Sequence, residues 1–108
     1  MSVSLMKNST RERLECLAEE MAEATQMVMK SLRHGLDSTH RDYGGHLNDA
    51  LLAKEIGHVM AWLDLLVGQN EIPQWAIDEA RKEKLRKIRR GTHFHHQHDV
   101  AAGIAADL

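Results

Sequence analysis

This sequence is poor in the residues that staple or interrupt a fold. It has one cysteine, one proline and four aromatic side chains (two Trp, one Tyr, one Phe) in 108 residues. Cys16 alone cannot form an intrachain disulfide or a cysteine metal cluster, an absence that suits a reducing, cytoplasmic setting. No uninterrupted apolar run approaches the roughly 20 residues that cross a bilayer. Residues 1–10, MSVSLMKNST, lack the apolar stretch of a signal peptide. Neither sign of charge prevails: 14 Lys+Arg against 16 Asp+Glu leave a net charge of −2. Nothing therefore demands nucleic acid or a membrane surface as a partner. The length excludes two independent cores, and a core this small makes oligomerisation a reasonable expectation.

What is present favours helix. β-branched residues are sparse, while Ala, Leu, Met, Glu, Lys and Arg dominate. A first helix is expected from about Ser9, where Ser9 and Glu12 have capping-box spacing, through Lys30. Its apolar positions, Leu14, Leu17, Ala18, Met21, Ala24, Val28 and Leu32, alternate by three and four. Gly35, Gly44 and Gly45 mark residues 33–46 as a loop with room for one short helical turn. A second long helix is expected from about Leu47 to Val67, ended by Gly68. Pro73 suits the first turn of a third, which reaches about Arg90 before Gly91. The fold class is all-α: an antiparallel bundle of three long helices with a short connecting helix. Residues 1–91 form the helical domain, and 92–108 a His-rich tail.

The candidate chemistry comes from carboxylates on the apolar side of these helices. At 100° per residue, Leu51, Leu52, Val59, Trp62, Leu63 and Leu66 make one broad arc, and Glu55 falls inside it. His58 lies one turn on, nearer the edge. A lone carboxylate facing a core costs several kcal/mol unless it is paired, protonated or metal-bound. A salt bridge explains such a Glu in isolation. On the first helix, however, Glu20 and Glu23 share a face at the edge of the apolar arc, whereas Glu12, Glu15 and Glu19 project outward. Two i, i+3 pairs that converge across a helix interface make an oxygen-rich site for a hard divalent cation. The third helix carries the opposite charge, with seven basic residues and one acidic in 81–90 (RKEKLRKIRR). Most of these complement the helix dipole. Lys84, beside Ile77 and Ile88, is equally suited to reach a phosphate.

The strings LAEEMAEATQMVMK (17–30) and LLAKEIGHVMAWLDLLV (51–67) resemble the all-α, MazG-like nucleoside triphosphate pyrophosphohydrolases. That family is marked by EExxE on one helix and ExxD on a later one. The similarity continues through Ile72–Lys84 and covers roughly residues 14–90. It implies that Glu20, Glu23 and Glu55 are Mg²⁺ ligands and that Glu19 is a base candidate. A basic group such as Lys84 can stabilise the departing pyrophosphate, and the resemblance further implies a homodimer or homotetramer. The reaction it implies is hydrolysis of a (deoxy)nucleoside triphosphate to the monophosphate and pyrophosphate. His58 stands where the family has Asp. Imidazole is neutral when it ligates and softer than carboxylate, so Mn²⁺ should be tolerated better than Mg²⁺. The alternative is a non-catalytic helical oligomer of the same fold that binds nucleotide or a protein partner.

The remaining histidines carry less. His93, His95, His96 and His98 can chelate a transition metal or form a polar tail, and their place near a chain end favours the tail. His34, His40 and His46 fall in the loop region. Cys16 reads as a small packing residue, and Trp62 and Trp75 as core or subunit-interface residues.

Overall fold

The computed structural model of the chain describes residues 5–38 and 47–91. Three α-helices run through them, α1 (Asn8–His34), α2 (Asn48–Gly68) and α3 (Gln74–Gly91), with no strand among the described residues. The all-α class and the three long helices are as expected. The connecting helix expected between α1 and α2 falls largely on residues 39–46, and the His-rich tail on 92–108, both outside the described residues. Among the described residues no helix is long and apolar enough to cross a membrane.

The chain divides into two compact units, Met1–Ile72 and Pro73–Leu108. In the first, α1 and α2 pack as an antiparallel pair. The beginning of α1 meets the end of α2 through Arg13 and Glu71, and its end meets the beginning of α2 through Gly35 and Asn48. In the second, α3 follows Pro73, whose carbonyl accepts the Ile77 N–H at 3.4 Å.

The side of α1 that meets α2 differs from the expected one. Thr10, Arg13, Cys16, Leu17, Glu20, Ala24, Met27, Lys30 and Ser31 are its less exposed positions, with Met27 buried. Leu14, Met21, Val28 and Leu32, expected as core, are exposed. At 100° per residue the buried face is rotated by roughly 80° from the centre of the apolar arc. The arc of α1 is wider than one neighbour covers, and α2 takes its polar edge. Glu20 therefore lies in the middle of the seam rather than at its margin. On α2 the expected arc is the one used: Leu51 and Leu66 are buried, and Leu52, Glu55, Val59, Trp62, Leu63 and Val67 are partly buried.

Both ends of the pair are tied by hydrogen bonds. Gly35 adopts φ +93°, and its N–H reaches Ser31 O at 2.7 Å; a Cβ here would stand 3.0 Å from Asp37 Oδ1. The fully buried Asn48 donates from Nδ2 to Gly35 O at 2.9 Å, and the Asn48 and Asp49 N–H groups bond Ser38 O and Leu36 O, each at 2.9 Å. This clamp closes the connection and fixes where α2 begins. At the other end Asn70, not Gly68, provides the left-handed residue, with φ +58°. Its N–H bonds Val67 O and that of Glu71 bonds Leu66 O, both at 2.9 Å, the paired pattern of a Schellman cap. The Ser9–Glu12 capping box is not used. Lys7 is the N-cap of α1, so Ser9 lies inside the first turn, and Lys7 O accepts the Arg11 N–H at 3.0 Å.

Candidate metal centre

The antiparallel pairing brings the two i, i+3 pairs face to face. Glu20, Glu23, Glu55 and His58 each offer one ligand atom, and these four atoms lie within 4.8 Å of one another. His58 Nδ1 is 3.3 Å from Glu20 Oε2 and 3.7 Å from Glu55 Oε2. Glu20 and Glu55 are partly buried, whereas Glu23 and His58 are exposed at the rim. The helix period causes this directly. Residues three apart stand one turn above each other, so each pair presents two donors on one face.

Two carboxylate oxygens in the seam, Glu20 Oε2 and Glu55 Oε2, are buried without a hydrogen-bond partner. A buried acceptor of this kind is costly unless a proton or a cation reaches it. Two ligands of one ion cannot be farther apart than twice the metal–ligand distance. For Mg²⁺ that limit is about 4.2 Å, and for Ca²⁺ about 4.6–5.2 Å. Separations within 4.8 Å are of the order that a single divalent cation spans. Three carboxylates and one imidazole form a mixed oxygen and nitrogen set, which favours Mn²⁺ and neighbouring transition ions over Ca²⁺. The residues fit a divalent cation.

Glu19 is exposed on α1 and is not one of the four whose donor atoms converge. Lys84 belongs to the second unit, where it is exposed on α3. Cys16, partly buried, has its thiol pKa pushed up by that burial and then by Glu19, Glu12, Glu15 and Glu20. A thiol held protonated in this way is a packing group rather than a nucleophile.

Sequence reasoning missed two features of this unit. A cavity of about 250 Å³ opens beside the cluster, lined by Glu23, Gln26, Met27, Lys30, Leu51, Lys54 and Glu55. Gln26 and Lys30 follow Glu23 at i+3 and i+7, a spacing that a longer wheel of α1 reveals. The second feature is the ion pair between Arg13 Nε and Glu71 Oε1, across the far end of the helix pair. Hydrogen bonds from Arg13 and then Thr10 hold the Glu71 carboxyl below its usual range, and the same contact raises the Arg13 guanidinium. No spacing rule connects residues 58 apart.

No protein-family model, curated protein or solved structure matches the chain.

Proposed function

We propose that this protein is a metal-dependent nucleoside triphosphate pyrophosphohydrolase of the MazG-like type, with Glu20, Glu23, Glu55 and His58 as its cation ligands. The observation that carries the reading is the convergence of both motif halves, EExxE on α1 and ExxH on α2, on one point of the helix seam. Glu20 and Glu55 supply buried oxygens that accept no hydrogen bond, with His58 Nδ1 at 3.3 and 3.7 Å, and Glu23 and His58 complete the set from the rim. A divalent cation held there neutralises phosphate charge and makes a bound water more acidic. Water attacks phosphorus, the α–β phosphoanhydride breaks, and pyrophosphate leaves. Glu19, exposed beside Glu20, is the carboxylate assigned to take the water's proton.

The assembly assigned to this enzyme is a homodimer or homotetramer. Leu14, Met21, Val28 and Leu32 on α1 and Ile56 and Met60 on α2 are all exposed, apolar side chains that a second copy would cover. Light scattering at micromolar concentration reads the assembly directly, and a monomeric mass rejects it.

One observation favours the non-catalytic alternative. His58 stands in the family's Asp position, and its Nδ1 lies close enough to Glu20 and Glu55 to act, when protonated, as an internal counter-cation. Pyrophosphate release from a panel of nucleoside triphosphates, with Mg²⁺ and with Mn²⁺, separates the two. The enzyme reading expects release that Glu55→Gln abolishes. Nucleotide binding without turnover under either cation supports the alternative.

A further inference from the structure

The cavity beside the cluster is asymmetric. Glu23 and Glu55 line it and Glu20 and His58 do not, so it lies to one side of the four converging donors, toward the end of α1 and the beginning of α2. Its remaining polar lining is of the opposite kind. Lys30 on α1, Lys54 on α2 and the Gln26 amide all carry hydrogen-bond donors, while Met27 and Leu51, both buried, form its apolar part. Lys54 Nζ is 4.0 Å from Glu55 Oε1, a loose ion pair whose ammonium retains donors for another anion. The size is informative. About 250 Å³ is the space of roughly eight waters, below the ~300–1,000 Å³ of pockets that enclose a whole drug-sized ligand. It suits a phosphate chain and not a complete nucleotide.

We propose that this cavity is the subsite for the phosphate chain of the ligand, with Lys54 and Lys30 as its cationic contacts and Gln26 as a neutral donor. The inference rests on the cation reading of Glu20, Glu23, Glu55 and His58, and adds to it the residues that hold the anion. Carboxylates and lysines that line one cavity, one of each from either helix, match a metal–polyphosphate complex: the cation would sit against Glu23 and Glu55, and the outer phosphate oxygens against the two ammonium groups. Base and sugar then lie outside the cavity.

The test is calorimetric titration of inorganic pyrophosphate into the full chain at saturating Mn²⁺, together with titration of Mn²⁺ alone. Lys54→Gln and Lys30→Gln are compared with wild type, and Lys54→Arg serves as the charge-preserving control. The Lys54 side chain is 55% exposed, so its replacement leaves the helix pair intact. Each Gln variant is expected to weaken pyrophosphate binding by about tenfold, a value at the low end for a charge-assisted contact because the site is open to solvent. Mn²⁺ binding is expected to stay equal or tighten, since a positive charge has left the neighbourhood of the carboxylates. Lys54→Arg should restore most of the pyrophosphate affinity. Opposite effects on anion and cation are what a merely structural lysine would not produce. If Mn²⁺ binds wild type while pyrophosphate affinity is unchanged in both Gln variants, the subsite is overturned and the cation site stands. If Mn²⁺ does not bind wild type, both are overturned.

Discussion

At His58 the chain places an imidazole three residues after Glu55, and the fold brings its Nδ1 to 3.3 Å from Glu20 Oε2. An imidazole ligand contributes no negative charge, so it discriminates against the hardest cations. His58→Asp is therefore expected to shift preference from Mn²⁺ toward Mg²⁺, read as the ratio of the two dissociation constants by calorimetry. An unchanged ratio would mean that His58 is not a ligand. At the other end of the seam, Glu71 is held below its ordinary value of 4.5 by Arg13 first and by Thr10 second. A carboxyl depressed in the folded state adds stability that is complete above the unfolded value and is lost as pH falls toward the folded one. The melting-temperature difference between wild type and Glu71→Gln should be largest near neutrality and shrink as pH falls from about 5 through 4 and below. A difference that does not vary with pH would show that the pair contributes through shape and not charge.

Among the elements, the start of α1 and both ends of α2 and α3 were legible to within a residue of where the structure has them, whereas α1 runs on to His34, four residues past the expected end at Lys30 and into the expected loop. The 3.6 period and the positions of Gly68, Pro73 and Gly91 carry most of that information. The means of termination was not legible. Gly68 is the last helical residue of α2, while Asn70 takes the left-handed position and swings Glu71 back toward Arg13. Asn tolerates that backbone better than other non-glycine residues, so a nearby Gly concealed it. Asn70→Ala is expected to cost about 1 kcal/mol in thermal or urea unfolding, and Asn70→Gly to cost little or nothing. Equal loss in both variants would point to the Asn side chain instead of its φ. Glu20 and Glu55 were legible because an i, i+3 carboxylate beside an apolar stripe is unusual on either helix. The rotation of α1 was not, because its apolar arc is wider than the face α2 covers. Which edge is buried depends on the partner helix, which a single-helix wheel does not contain. The same limit hid Lys30, Lys54 and Gln26, whose meaning comes from a cavity between two elements.

For the molecule as a whole, the seam between α1 and α2 combines a small buried core with an ionic centre. Among the described residues the buried apolar side chains are Met27, Leu51 and Leu66, all on these two helices, and of them only Leu66 is fully buried. So small a core leaves the stability of the helix pair open to ligand binding, and the cation proposed for Glu20, Glu23, Glu55 and His58 would act where that core is thin. Binding restricted to the native state raises stability by about 2.7 kcal/mol at a hundredfold excess over Kd, and for a chain near 100 residues that corresponds to roughly 10 °C or more. Glu55→Gln keeps the shape of the side chain and removes its charge, so it lowers repulsion in the metal-free seam while deleting one ligand. The most direct measurement is thermal unfolding of wild type and Glu55→Gln with and without millimolar Mn²⁺. The account predicts a rise of that size for wild type and loss of most of it in the variant. No rise in wild type, or an equal rise in both, would contradict it.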